Sequence, residues 1–133
     1  MTHRIVLDTS AVVAYWLEEP GADVVEAQLL NKGCVMHEIN VSELCVTMPR
    51  KRPDRFTRQN TRTRLEALGV TSRADFDREW AETIADIRHA TSALSIGDGF
   101  AVTLAGTLGV PLLVAEKAFL NAAGFATVEH IRL

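Results

Sequence analysis

Aliphatic residues cluster in three short runs, and polar or breaking residues follow each one. Ile5-Val6-Leu7 is continuously apolar and rich in β-branched side chains, as strands buried on both faces tend to be. Cys34-Val35-Met36 and Leu112-Leu113-Val114 have the same character. Thr127 to Ile131 alternates weakly and predicts an edge strand. Between these runs the apolar spacing turns helical. Ser10 is a suitable N-cap for a helix through Leu17, which Pro20-Gly21 breaks. A second helix is predicted from Ala22 to Leu30, closed by Asn31-Lys32-Gly33.

Asn40 then predicts the cap of a helix with Val41, Leu44, Cys45 and Met48 on one stripe. Pro49 and Pro53 oppose its continuation past Met48. A partly helical basic stretch leads to Leu65–Leu68, and Gly69 ends this region. Thr71 or Ser72 is expected to start a longer helix with Phe76, Trp80, Ile84 and Ile87 along one face. Ser95 caps another, with Phe100, Ala101, Leu104, Ala105 and Leu108 buried. Gly109 suits its C-terminal end and Pro111 stops it. A short helix, Lys117 to Ala122, follows the last aliphatic run. Helices alternating with short aliphatic strands predict an α/β fold: a three-layer sandwich with a central, mainly parallel sheet flanked by helices. At 133 residues, without repeats or linkers, one domain over 1–133 is expected.

Composition refines this picture. Apolar residues make up 47% and aromatics 6%, which suits an aliphatic core and excludes disorder. The formal net charge of -3 conceals a segregation. Arg50, Lys51, Arg52, Arg55, Arg58, Arg62 and Arg64 stand against one acid, Asp54, leaving seven bases and 16 acids for the rest of the chain. Such an arrangement suits an acidic pocket beside a basic landing surface. Arg50, Lys51, Arg52, Arg55 and Arg58 are therefore candidate phosphate contacts, and equally a solvated face. Two cysteines without metal-ligand spacing argue against a disulfide framework or structural zinc. The four histidines are dispersed and read as structural or surface residues. No secretion signal is evident, and no stretch approaches membrane-spanning length. A soluble, cytoplasmic protein is expected.

Four acids occupy comparable junctions. Asp8 and Glu116 directly follow aliphatic strands, and Glu43 and Asp98 fall near helix starts. In open α/β sheets ligands bind beyond the carboxyl ends of the strands, so one sheet edge could gather all four. Unpaired carboxylates in one site repel, and a divalent cation removes that objection. Carboxylates plus water are the ligands of Mg²⁺ or Mn²⁺. Singly, each acid also reads as a helix cap: Asn40-x-x-Glu43 has a capping-box arrangement, Ser95-x-x-Asp98 puts an acid in a first turn, and Asp8 and Glu116 precede helices.

Val6-Leu7-Asp8-Thr9-Ser10-Ala11, Asn40-Val41-Ser42-Glu43-Leu44, Leu94-Ser95-Ile96-Gly97-Asp98-Gly99-Phe100 and Pro111-Leu112-Leu113-Val114-Ala115-Glu116-Lys117-Ala118-Phe119 together resemble the PIN-domain family. More narrowly they resemble the toxin ribonucleases of VapBC toxin–antitoxin pairs. The resemblance aligns Asp8, Glu43 and Asp98 with the family's first three metal-binding acids, and Ser10 with its small hydroxyl residue. Glu116 departs from the usual Thr-x-Asp or Ser-x-Asp: the hydroxyl is absent and the carboxylate is one methylene longer. The resemblance implies a PIN-like fold and Mg²⁺- or Mn²⁺-dependent endonucleolytic cleavage of RNA. It also implies homodimerisation and inhibition by a cognate antitoxin lying along the active-site groove. On this reading Asp8 and Asp98 contact the metal directly and Glu43 binds directly or through water. Glu116 supports a second ion or a water, and Ser10 orients Asp8 or a water.

Three alternatives stay open. One is a catalytically weak or inactive PIN-like domain that binds RNA or protein. Another is a phosphohydrolase with Asp8 as nucleophile, for which Ser10 stands where a second Asp is wanted. The third is a DNA-directed nuclease, since a metal site acting on phosphate does not distinguish the two nucleic acids.

Overall fold

Five strands form one all-parallel sheet in the order β3-β2-β1-β4-β5: β1 Ile5–Leu7, β2 Cys34–His37, β3 Thr71–Arg73, β4 Leu112–Val114 and β5 Val128–His130. The structure, a computed structural model, describes residues 2–133. From β1 the chain builds outward through β2 to β3, then crosses back to place β4 on β1's other side. The switch point of the sheet therefore lies between β1 and β4, in register at Val6↔Leu112 and Leu7↔Leu113.

Alternation along the strands divides the core. Ile5, Leu7, Met36 and Leu113 point to one face, under α1 (Thr9–Trp16), α2 (Ala22–Leu30), α3 (Glu38–Lys51) and α4 (Arg58–Ala67). Val6, Val35, Leu112 and Val114 point to the other, under α5 (Arg78–Ala90), α6 (Ile96–Leu108) and the 3₁₀ helix Lys117–Ala122. The central strands thus have apolar neighbours above and below, which explains their uninterrupted aliphatic runs. The expected three-layer sandwich is present, and the sheet is wholly parallel.

Several boundaries differ from the sequence expectation. The N-cap of α1 is Asp8, whose side chain accepts the Ser10 N–H, rather than Ser10. α3 begins at Glu38, earlier than expected, and its cap is His37 rather than Asn40. The His37 Nδ1 accepts the Ile39 N–H at 3.1 Å, while Nε2 donates to the Asp75 carbonyl at 2.8 Å. This histidine is 2% exposed and holds the β2–α3 junction. α3 also runs through Pro49 to Lys51. A proline so close to the C-terminal end interrupts only the final turn.

The segment at Thr71 is the edge strand β3, not a helix start. Thr-Ser-Arg is polar because this strand covers the rim of the sheet, and a charged edge resists pairing with other chains. α5 starts after Asp77, whose carboxylate accepts the Trp80 N–H at 2.9 Å. Phe76 consequently lies outside the helix and is 59% exposed, against 6% for Ile84. Urea denaturation should separate them: Ile84→Ala is expected to lower stability by about 2–4 kcal/mol. Phe76→Ala should cost less than about 1 kcal/mol. Equal losses would contradict this boundary.

Candidate active site

Asp8 extends β1 by one residue, and its N–H donates to the Leu113 carbonyl of β4 at 3.0 Å. Its side chain therefore leaves the sheet at the switch point, where a pocket of about 820 Å³ opens. Asp8, Ser10, Glu43, Asp98 and Glu116 all line this pocket. Residues up to 108 positions apart in sequence are brought together by β1, β4 and the starts of α1, α3 and α6.

Each acid has a distinct anchorage. Asp8 is 2% exposed. Its Oδ2 accepts the Ser10 N–H at 2.9 Å and the Ser10 hydroxyl at 2.6 Å. Ser10 Oγ in turn accepts the Ala115 N–H at 2.9 Å, tying the end of β4 to the Asp8 carboxylate. Asp8 Oδ1 is buried with no partner among the described residues. Burial pushes this carboxyl up to about 7; the two Ser10 bonds pull it down, and the charges of Asp98 and Glu43 push it further up.

Glu43 lies in the second turn of α3, so it is not part of the expected capping box. Its Oε1 accepts the Thr9 hydroxyl at 2.7 Å and the Asn40 amide at 2.9 Å. Its Oε2 rests against Gly97, where a Cβ would approach to 2.3 Å. Asp98 does complete a capping box: its Oδ2 accepts the Ser95 N–H at 2.9 Å, and its own N–H donates to Ser95 Oγ at 3.1 Å. Glu116 precedes the 3₁₀ helix but makes no side-chain cap bond. Its carboxyl is raised by burial first, then by the charges of Asp98 and Glu43.

Of the basic stretch, Lys51 lines the pocket. Arg50, Arg52, Arg55 and Arg58 lie outside its lining. Arg52 pairs with Asp54 at 2.9 Å, and Arg55 stands with Arg64 around the Phe56 ring. Sequence reasoning missed three contributors. Thr9 and Asn40 hold Glu43, and only their nearness to the motif acids signalled them. Arg132 lines the pocket from the far end of the chain, donating to the carbonyls of Pro20 at 2.7 Å and Ala115 at 3.4 Å. No local pattern announces it.

Among the described residues, no three carboxylate, imidazole or thiol groups already form a metal cage. The donor set nonetheless fits a cation that keeps much of its water. Asp8 has an unpartnered buried oxygen, and Asp98 and Glu43 each hold one oxygen in place by neutral donors and leave the other without a hydrogen bond among the described residues. Mg²⁺ is bound in this manner, by one or two carboxylates with waters completing the octahedron.

Asp8 also generates a pH dependence. The folded protein holds this proton up to about pH 7, whereas the unfolded chain releases it near 3.8. Between those values the folded state binds more protons, so stability falls as pH rises. Asp8→Asn removes the effect while keeping an oxygen for the Ser10 N–H. Without divalent ions, the variant should gain stability over wild type between pH 4 and 8, by on the order of 4 kcal/mol at the upper end. Parallel stability–pH curves would contradict it.

The PIN domain family model matches residues 5–124. No curated protein matches the chain in sequence. Among solved structures, a toxin–antitoxin complex from Klebsiella pneumoniae is similar at 18% identity with a TM-score of 0.67, over 96% of this chain and 97% of that one. FitAcB from Neisseria gonorrhoeae is similar at 20% identity and a TM-score of 0.62, over 96% and 97%. DNA-bound VapBC from Salmonella typhimurium is similar at 15% identity and a TM-score of 0.63, over 98% and 99%. At these identities the likeness is one of fold. The family match spans nine-tenths of the chain and includes all four acids: this chain belongs to the PIN domain family.

Proposed function

We propose that the protein is a Mg²⁺- or Mn²⁺-dependent endoribonuclease and the toxin of a toxin–antitoxin pair. The observation that carries this reading is the shared pocket of Asp8, Glu43, Asp98 and Glu116 at the sheet's switch point, around a buried Asp8 oxygen with no partner among the described residues. Asp8 and Asp98 would hold the cation, Glu43 would do so directly or across a water, and Glu116 would support a second ion or a water. When bound, the cation lowers the pKa of water and stabilises charge on the phosphoryl oxygens during in-line attack. Ser10 fixes Asp8 Oδ2 and so fixes where Oδ1 stands. Lys51 offsets the acids' field for an incoming phosphate, while Arg132 is paired with Glu19 at 3.3 Å on the pocket wall. Arg50, Arg52, Arg55 and Arg58 extend the grip along the RNA backbone, giving affinity that falls steeply with salt. The products carry 5′-phosphate and 3′-hydroxyl ends.

The structural neighbour described as a toxin–antitoxin complex supports a cognate antitoxin as partner. Its tail would lie along the pocket and present a basic side chain to the acids. The active form is a homodimer in the cytoplasm. Among the described residues, no helix is long and apolar enough to cross a membrane.

One alternative draws on a specific observation. Asp98 uses one carboxylate oxygen for its own helix cap, a role that a PIN-like module binding RNA without cutting it would need equally. Cleavage of a defined RNA with added Mg²⁺ or Mn²⁺ separates the two. Wild type should cut, and Asp8→Asn or Asp98→Asn should each lose at least ~100-fold in rate, as removal of a group stabilising transition-state charge implies. RNA binding without any divalent-dependent cleavage would favour the module.

A further inference from the structure

Asn40 is fully buried in the first turn of α3, one turn before Glu43. Its amide nitrogen donates twice, to Glu43 Oε1 at 2.9 Å and to the Gly97 carbonyl at 3.0 Å. Both neighbours are acceptors, so the orientation of the amide is set by chemistry: reversed, its oxygen would face two oxygens. Asn40 Oδ1 is buried with no partner among the described residues. A buried amide with half its capacity unmet carries a desolvation cost that its two donated bonds only partly offset.

What Asn40 provides instead is a link between two helices. Glu43 sits on α3, and the Gly97 carbonyl belongs to the peptide that leads into Asp98 on α6. Gly97 completes the junction, since any Cβ there would occupy the space of Glu43 Oε2. Thr9 supplies a further donor to Glu43 Oε1, leaving Oε2 as the oxygen without a hydrogen bond among the described residues.

We propose that Asn40 is a positioning residue: its one amide nitrogen bridges Glu43 and the Gly97–Asp98 peptide, and so sets the spacing of two acids carried by different helices. It touches neither substrate nor metal and acts through Glu43 and Asp98. The proposal rests on the metal-dependent reading above.

The test is calorimetric titration of Mn²⁺ into wild type and Asn40→Leu, with thermal melting and Mn²⁺-dependent RNA cleavage on the same samples. Leucine matches the volume and removes the bridge together with the unmet oxygen. Its melting temperature should stay within about 5 °C of wild type, the size of shift expected from about one net hydrogen bond, while Mn²⁺ affinity falls by ~10–100-fold, the usual effect of removing a group that orients a ligand. kcat should fall with KM for RNA unchanged. Asn40→Ser, too short to span both acceptors, should show the same loss of affinity and serves if the leucine variant does not fold. A folded variant with wild-type Mn²⁺ affinity overturns the proposal, since a residue important only for packing would change the melting temperature instead. Wild type that takes up no Mn²⁺ removes the metal-dependent reading, and this proposal with it.

Discussion

The costly feature of this fold is negative charge drawn out of water at the end of β1. Asp8 is held almost wholly inside the protein, and its preference for the proton up to about pH 7 measures how poorly the site tolerates an uncompensated carboxylate. Everything around it limits that cost without cancelling it. Ser10 gives two hydrogen bonds to one oxygen, and the start of α1 directs its backbone N–H groups toward the same place. Glu43, Asp98 and Glu116 then share the pocket and add to the repulsion, while Glu19 on the same wall is paired with Arg132. A cation is the compensation that such a donor set accommodates.

Capping and metal binding are often treated as competing explanations for an acid at a helix start. Here they are compatible, because a carboxylate has two oxygens. Asp8 and Asp98 each use Oδ2 to satisfy a backbone N–H near their own helix start. Glu43 uses Oε1 for Thr9 and Asn40. The second oxygen of each is then aimed by the first. Fixing an acid through a cap restricts its rotamers, and a small cation with strict geometry benefits from that stiffness.

The sequence disclosed the sheet's centre and the places of Asp8 and Glu116 for the same reason. β1 and β4 are buried on both faces, so their aliphatic runs are unmistakable, and the residues that follow them must lie at the strands' carboxyl ends. β3 escaped because an edge strand is polar: Thr71, Ser72 and Arg73 carry none of the pattern that marks the interior. The start of α3 escaped because its cap is an imidazole nitrogen of His37, while Asn40, a common capping residue, sits inside the helix with another task. Arg132 could not have been found at all, since its role depends on Pro20 and Ala115 arriving beside it only in the folded chain.

The central claim is that these acids accept a divalent cation at the Asp8 oxygen that has no partner among the described residues. Crystals soaked in Mn²⁺ and measured for anomalous scattering address it most directly. The account predicts a peak within bonding distance of Asp8 Oδ1, with Asp98 or Glu43 contributing a second oxygen and ordered waters filling the remaining positions. A pocket without such a peak at saturating Mn²⁺, its acids still engaged only with their own helices, would contradict it.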